Sequence, residues 1–140
     1  MSTIVMTFGT FDHFHAGHEH YLANAKKKGD ELITVIARDE TVKKVKGEYP
    51  DHNEQERKQT LEETELVDEV ILGDLKDKYN VIRKHKPDII CLGYDQYAFT
   101  QQLQKLIISE GLNTEIIRLK PYKPNQFKSS IIKAKQTTLV

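Results

Sequence analysis

Short runs of β-branched and apolar residues recur along this chain, and segments with helical spacing separate them. Runs of this kind, without alternating polar residues, are typical of strands buried on both faces of a parallel sheet. They lie at residues 3–8, 32–37, 69–72, 88–92 and 114–119. The regular succession of strand and helix predicts an α/β fold, with a doubly wound parallel five-stranded sheet and helices on both faces.

Helical patterns fill most of the segments between and after these runs. Asn53 and Glu56 have the spacing of a capping box, which indicates the start of a helix. We predict helices at residues 18–28, 53–65, 78–85, 98–110 and 129–135. The segment 39–52 fits neither pattern, so we predict that it is the longest loop, and long loops of compact domains often carry function.

The length of 140 residues suits a single hydrophobic core and leaves no room for two catalytic domains. No linker or change of composition divides the chain. We therefore predict one domain over residues 1–135, followed by a tail over residues 136–140 that frays because it has no packing partner.

The charge and the apolar runs limit the classes of partner. Lys and Arg number 21, Asp and Glu also number 21, and the formal net charge is zero, so the general attraction to nucleic acid is missing. No run approaches the roughly 18 apolar residues of a membrane span. The single cysteine, Cys91, and the absence of a signal-like start favour a cytoplasmic protein with neither nucleic-acid nor membrane partners.

The segment between the first strand and the first helix contains the residues best suited to phosphate chemistry. It reads Gly9-Thr10-Phe11-Asp12 and, after two residues, His15-Ala16-Gly17-His18. The N-terminus of a helix attracts phosphate through its backbone N–H groups and its dipole. The imidazoles of His15 and His18 add donors, and Gly17 lets a nucleotide approach the backbone closely.

This combination resembles the H-x-G-H signature of the cytidylyltransferase-like nucleotidyltransferase superfamily. Over nearly the whole chain the sequence is also similar to archaeal-type FAD synthases, in residues 37–42, Lys46-Gly47, Leu72-Gly73 and residues 92–96. The resemblance implies a compact Rossmann-like sheet. It also implies that an adenylyl group moves from ATP to FMN with release of pyrophosphate, with Mg²⁺ or another divalent cation as cofactor.

The same resemblance assigns roles to individual residues. It implies that the catalytic residues are His15, His18 and Lys46, which contact the nucleotide phosphates. It places nucleotide binding at Thr10, Phe11, Gly17, Arg57, Gly93, Asp95, Ser129 and Ser130. Asp12 is the candidate metal ligand, with Asp95 as a further candidate for that role or for orienting the nucleotide.

Two other functions remain open. Glycerol-3-phosphate cytidylyltransferases share the H-x-G-H motif, so CTP with a polyol phosphate is the alternative to ATP with FMN. Their arginine-threonine-glutamate-glycine run is missing here, where residues 120–128 intervene and leave Lys123 or Lys128 as replacements. A non-catalytic nucleotide-binding module is the alternative of another class. Relatives are commonly homodimers, and the sequence permits a homodimer without identifying its interface.

A transition-metal site is a further alternative for the histidine-rich segment. Imidazoles at short spacing bind zinc well, and His13, His15, His18 and His20 are close in sequence. The segment lacks the H-E-x-x-H pair and a neighbouring cysteine. We therefore interpret His13 and His20 as surface or supporting residues, and His52 and His85 as ordinary solvated side chains.

Overall fold

Five parallel strands form one sheet. The structure, a computed structural model, describes residues 2–93 and 97–121, with the backbone alone for residues 97–100. The strands are β1 (Ile4–Gly9), β2 (Glu31–Ile36), β3 (Glu69–Leu72), β4 (Ile89–Leu92) and β5 (Glu115–Arg118). Their order across the sheet is β3-β2-β1-β4-β5, and every pair is parallel. The predicted five-stranded parallel sheet is confirmed.

Helices cover both faces of this sheet. They are α1 (Ala16–Lys26), α2 (Asp39–Lys46), α3 (Glu54–Thr64), α4 (Asn80–His85) and α5 (Tyr97–Glu110). Apolar residues of α1 and α3 pack on one face in the same cluster as Val5 and Leu32. Those of α4 and α5 pack on the other face with Met6 and Ile33, so the doubly wound arrangement is confirmed. No helix in the described part of the chain is long and apolar enough to cross a membrane.

The order of the strands creates a crevice next to β1. The chain moves outward from β1 to β2 and β3, then returns to place β4 on the opposite side of β1. In open parallel sheets, ligands bind at such a reversal, beyond the carboxyl ends of the strands. The segment that follows β1 and Gly93, which follows β4, both lie at this edge.

The structure corrects the prediction of a long loop over residues 39–52. Residues 39–46 form α2, which has acidic residues in its first turn and basic residues in its last turn, as the helix dipole favours. Gly47 ends the helix in the left-handed region, with φ of 88°, and its N–H donates to Lys43 O. The segment has two apolar residues at helical spacing, Val42 and Val45, but its charged residues outnumber them, and only Val42 is buried.

The boundaries of the other helices are close to those predicted. The capping box at the start of α3 is confirmed, because the side chains of Asn53 and Glu56 each accept the other's backbone N–H. Helix α1 begins at Ala16, two residues before the predicted start, because His15 caps it. The predicted helix over residues 129–135 and the tail over residues 136–140 lie outside the described residues.

A buried hydroxyl pair joins the two longest strands. Thr7 on β1 and Thr34 on β2 are directly opposite in register, and their Oγ1 atoms are 2.8 Å apart. Both residues are fully buried, so each hydroxyl depends on the other for a side-chain partner. This hydrogen bond favours the observed register of β1 against β2, because a shifted register would leave both buried hydroxyls without a partner.

Replacing Thr7 by valine leaves the Thr34 hydroxyl buried without this partner, so we expect the free energy of unfolding to fall by about 1–3 kcal/mol. The Thr7→Val/Thr34→Val double variant exchanges both hydroxyls for methyl groups and should recover most of that loss. Urea unfolding measures Thr7→Val, Thr34→Val and the double variant. A double variant that loses the sum of the two single losses would contradict this account.

Candidate active site

Two histidines cap helix α1 reciprocally. His15 is the N-cap residue, and its Nδ1 accepts the backbone N–H of Gly17 at 3.0 Å. His18, three positions later, returns the bond, since its Nδ1 accepts the backbone N–H of His15 at 3.2 Å. This is a capping box built from imidazoles in place of a hydroxyl and a carboxylate. The backbone N–H groups predicted to bind phosphate are thus partly used by the cap itself.

The cap determines the protonation of both rings. An Nδ1 atom that accepts a hydrogen bond has no proton, so each neutral ring carries its proton on Nε2. Burial, with the charge of His15 as a smaller cause, lowers the pKa of His18 to about 3, and burial also lowers the pKa of His15. Both imidazoles are therefore neutral near pH 7, and each has one Nε2–H donor available.

The Nε2–H donor of His18 is buried and has no partner in the described part of the chain. His18 is only 2% exposed, and its ring stacks against that of His15 with centroids 3.8 Å apart. Buried donors in native proteins are nearly always satisfied, so a buried donor without a protein acceptor indicates a place where a ligand accepts the bond. His15 is exposed and lies over His18 at the opening of the crevice.

Aromatic residues hold the His18 ring in place. Phe11 contacts it edge-to-face with centroids 5.2 Å apart, and Phe14 lies at 5.5 Å on a tilted plane. Phe11 is itself buried and stacks on Tyr21, whose hydroxyl donates to the backbone oxygen of Cys91 on β4 at 2.7 Å. The side chain of Phe11 therefore supports His18, while its predicted contact with the nucleotide stays a prediction.

Gly17 leaves room for the histidine ring beside it. A Cβ atom at this position would lie 2.9 Å from Cε1 of His15 and 3.1 Å from its Nδ1, closer than side-chain atoms normally approach. A larger residue would force the imidazole to shift, which disturbs its hydrogen bond to the Gly17 backbone. The absence of a side chain at Gly17 thus accommodates the His15 ring. That it also lets a nucleotide come close to the backbone stays a prediction.

Arg57 lies beneath the site. Its side chain is 1% exposed, and its nitrogens donate to three backbone oxygens and to one carboxylate oxygen. These acceptors are Thr10 O, Ala37 O and His52 O, each at 2.9 Å, and Asp39 Oδ1 at 2.6 Å. Such contacts tie the carboxyl ends of β1 and β2 to the segments that precede α2 and α3. The structure therefore gives Arg57 a positioning role, and its predicted contact with nucleotide phosphate stays a prediction.

Lys46 ends α2 close to the capped histidines. Its ammonium forms no hydrogen bond or ion pair within the described residues. Desolvation lowers the pKa of Lys46, and the Asp12 carboxylate opposes this effect; the charge of Lys46 in turn lowers the pKa of His18. The structure thus brings Lys46, His18 and Asp12 into one electrostatic neighbourhood, although Lys46 lies on a helix and not on the predicted loop.

Asp12 connects the segment after β1 to the segment before α3. Its Oδ2 accepts the backbone N–H of Asp51 at 2.8 Å, and its Oδ1 accepts both the backbone N–H and the Nδ1–H of His52. Burial raises the pKa of Asp12, but these hydrogen bonds outweigh burial and lower the pKa overall. The carboxylate is therefore ionised near neutral pH, which is the state that a metal ligand needs.

Two more predicted residues are described, and three are not. Thr10 is buried, and its backbone oxygen is held by Arg57. Gly93 follows β4 on the crevice edge, and its backbone oxygen accepts from Arg118 Nη1 at 3.0 Å. Asp95, Ser129 and Ser130 lie outside the described residues, as do Lys123 and Lys128.

Comparison with known proteins decides the family. The family model described as cytidylyltransferase-like matches residues 6–135. The chain belongs to the cytidylyltransferase-like family. Curated relatives named FAD synthase include one from Pyrococcus horikoshii, 43% identical, covering 91% of this chain and 88% of the relative. Another, from Thermoplasma acidophilum, is 40% identical and covers 97% of this chain and 95% of the relative.

Solved structures agree with this assignment of the cytidylyltransferase-like fold. A crystal structure described as a lipopolysaccharide core biosynthesis protein from Thermoplasma volcanium has a TM-score of 0.81 and 41% identity, covering 87% of this chain and 99% of that chain. A pantoate-beta-alanine ligase from Francisella tularensis has a TM-score of 0.66 at 19% identity, covering 88% of this chain and 61% of that chain. The second likeness shows the fold alone.

His52 has a role in this cytidylyltransferase-like site that its sequence context did not predict. Its ring is exposed, as predicted, yet its backbone and ring both bond to Asp12. Asp51, next to it, pairs with Nε2 of His13 at 2.6 Å. The available signal was the pair of polar residues just before the capping box at Asn53, since residues preceding a helix start in this fold lie near the carboxyl edge of the sheet.

Replacing Arg57 by lysine tests its positioning role. A single ammonium cannot reach the acceptors that the guanidinium fork holds, and each buried carbonyl left unsatisfied costs about 1–3 kcal/mol. We expect Arg57→Lys to lower the free energy of unfolding by at least about 2 kcal/mol in urea titration. The neighbouring Lys58→Met is the matched control, because Lys58 forms an exposed pair with Glu62 that contributes less than about 1 kcal/mol. Equal losses in both variants would refute the role.

The protonation of His18 can be measured by nuclear magnetic resonance. We expect its ring nitrogens to show the neutral form, with the proton on Nε2, and no titration between about pH 5 and 8. Because the pKa of His18 is lowered to about 3 in the folded state, the unfolded chain binds more protons between that pH and about 6.5. His18 therefore makes stability fall as the pH drops through this window. A ring that titrates near pH 6.5 would contradict the cap geometry.

Proposed function

We propose that this chain transfers the adenylyl group of ATP to FMN, forming FAD and pyrophosphate. The observation that carries the choice of substrates is the name FAD synthase on relatives that are 40–43% identical along nearly the whole chain. The observation that carries the choice of site is the buried donor of His18 at the crevice beside β1, which has no acceptor among residues 2–93 and 97–121. The two observations are independent of each other.

The reaction needs no covalent intermediate with the protein. An oxygen of the FMN phosphate attacks the α-phosphorus of ATP and forms the new phosphorus–oxygen bond. The bond between the α-phosphorus and the oxygen that bridges to the β-phosphorus breaks, and pyrophosphate leaves with the electron pair. In such a displacement, catalysis consists mainly of positioning the reactants and stabilising negative charge.

His15 and His18 act as fixed hydrogen-bond donors in this proposal. Both rings are neutral, and the backbone holds both Nδ1 atoms, so the Nε2–H groups are oriented before substrate arrives. Donors that are oriented in advance stabilise charge in the transition state without the cost of reorganising. The phosphate oxygens of ATP would accept the bond for which the buried His18 has no acceptor in the part of the chain that the structure describes.

Lys46 supplies the positive charge of the proposed site. Its ammonium has no partner within the described residues, and its charge acts on His18. Lys46 lies in the last turn of α2, and Asp39 at the start of that helix binds Arg57, so the lysine is positioned by the same network that holds the strand ends. We assign Lys46 to the phosphates of the nucleotide.

Asp12 fits the divalent cation that such a reaction uses. Mg²⁺ is usually held by one or two carboxylates together with the phosphates of the substrate. The Asp12 carboxylate is ionised, and its Oδ2 accepts only one of the hydrogen bonds described, so it retains room for a ligand bond. When bound, Mg²⁺ would neutralise charge on the phosphates of ATP.

The remaining nucleotide contacts belong to the same proposal. Thr10, Gly17 and Gly93 line the crevice edge through their backbone, and we keep Asp95, Ser129 and Ser130 as further contacts. FMN and a nucleoside triphosphate are the proposed partners, with a homodimer as the proposed assembly. Cys91 is a free, buried cysteine, and burial raises the pKa of its thiol to about 11, which suits an inert core residue in the cytoplasm.

Removing the buried donor should reduce the rate without unfolding the chain. We expect His18→Ala to lower kcat for FAD formation by about 100-fold or more, the effect of losing one preorganised donor. The measurement is pyrophosphate release with ATP, FMN and Mg²⁺. His85→Ala is the matched control, because His85 lies at the end of α4 on the other face of the sheet and should leave kcat unchanged.

The same assay separates the alternatives. ATP and CTP are each combined with FMN and with glycerol 3-phosphate. Release with ATP and FMN alone supports the proposal, whereas release with CTP and glycerol 3-phosphate alone establishes the cytidylyltransferase reading. Nucleotide binding without release in any combination would establish a non-catalytic module, and full activity in folded His18→Ala would remove His18 from the site.

A further inference from the structure

We propose that Asp12, His13 and His52 form a binding site for a divalent transition-metal ion such as Zn²⁺ or Co²⁺. Each of the three residues offers one ligand atom, and these atoms all lie within 4.8 Å of one another. Two imidazoles and a carboxylate are a donor set that transition metals favour. The inference does not rest on the proposed function, since the site uses Oδ1 of Asp12 and needs no nucleotide, whereas the Mg²⁺ of the proposed reaction is assigned to Oδ2.

The fold brings these residues together from distant parts of the sequence. Asp12 and His13 follow β1, whereas His52 precedes α3 by two residues. Asp12 accepts the backbone N–H groups of Asp51 and His52, which holds the second segment against the first. The rings of His13 and His52 then meet edge-to-face with centroids 4.7 Å apart. The backbone, and not the side chains alone, sets this arrangement.

The distances between the ligand atoms are close to those of a metal site. Ligands at about 2.1 Å in a tetrahedral arrangement are separated by about 3.4 Å. His52 Nδ1 and Asp12 Oδ1 are already 2.9 Å apart. His13 and His52 are both exposed, so their rings can rotate toward a shared ion without disturbing packed neighbours. Binding requires side-chain adjustment and a change of the His52 tautomer, in which the proton moves from Nδ1 to Nε2 and leaves Nδ1 free to bind the ion.

Asp51 orients His13 in the way that supporting carboxylates orient metal-binding histidines. Its Oδ2 accepts from Nε2 of His13 at 2.6 Å. With the proton held on Nε2, the lone pair of Nδ1 is available to a metal. Histidines that bind metals commonly donate their other ring N–H to a carboxylate, which sets the ring orientation and increases its basicity.

The charges around the cluster favour a cation. Asp12 and Asp51 contribute two carboxylates, against the ammonium of Lys46, while the nearby guanidinium of Arg57 is paired with Asp39. Mg²⁺ prefers oxygen ligands in an octahedral arrangement, so the two imidazoles select against it. Three protein ligands also leave a coordination position open for water or a phosphate oxygen. A transition metal here would tie the histidine motif segment to the segment before α3.

The test is metal binding by the full chain without an affinity tag and without nucleotide. Isothermal titration with Zn²⁺ in the presence of excess Mg²⁺ should give one ion per chain, and the absorption spectrum of the Co²⁺ form should show nitrogen and oxygen coordination. His52→Gln should weaken Zn²⁺ binding by about 100-fold, and Asp51→Asn by about 10-fold, as for a lost supporting carboxylate. His85→Gln is the matched control and should bind as the unaltered chain does.

Several outcomes would overturn the proposal. Unchanged Zn²⁺ binding in His52→Gln would do so. If, in addition, His15→Gln loses Zn²⁺ binding, the ion is bound by the motif histidines and not by His13 and His52. Displacement of Zn²⁺ by millimolar Mg²⁺ would also contradict it. If His52→Gln does not fold, the exposed His13→Gln replaces it. Pyrophosphate release is measured separately, so failure of this site and failure of the proposed reaction are distinguishable.

Discussion

The buried guanidinium of Arg57 determines how the loops of the site are arranged. A sheet of parallel strands ends in backbone oxygens and loops that have no regular partners, and a site at that edge requires them to be held. Arg57 binds the oxygens that follow β1 and β2, the carboxylate at the start of α2 and the oxygen before α3. Lys46 lies on α2, and the contact between Asp12 and His52 joins the segment after β1 to the segment before α3. The Arg57 side chain holds all three of these parts together.

A local feature of helix α1 sets the chemistry of the site. The reciprocal cap uses the Nδ1 atoms of His15 and His18, so the helix end and the donor groups are the same side chains. Neutral imidazoles cost far less to bury than charged ones, which is compatible with the burial of His18 beneath His15 and between two phenylalanines. Gly17 belongs to this arrangement because the His15 ring occupies the space of its side chain.

Much of the fold could be predicted because it is encoded in short stretches. The five apolar runs and the capping box at Asn53 depend on neighbouring residues, and the predicted strands and helices follow from them. Helix α2 also carried local signals, namely acidic residues at its start, basic residues at its end and Gly47 beyond. Its apolar residues, Val42 and Val45, have helical spacing but are only two in a short, highly charged segment, so the segment was predicted as a loop.

The sequence alone determined the α/β class, the placement of the H-x-G-H segment after the first strand and the resemblance to FAD synthases. These depend on residue order and local spacing. Tertiary structure alone decided that Arg57 holds an oxygen 47 residues away and that His52 joins Asp12 across 40 residues. It also decided that the buried His18 has no acceptor among the residues described. Such contacts depend on how the strand order folds distant segments onto one edge of the sheet, and no local pattern records them.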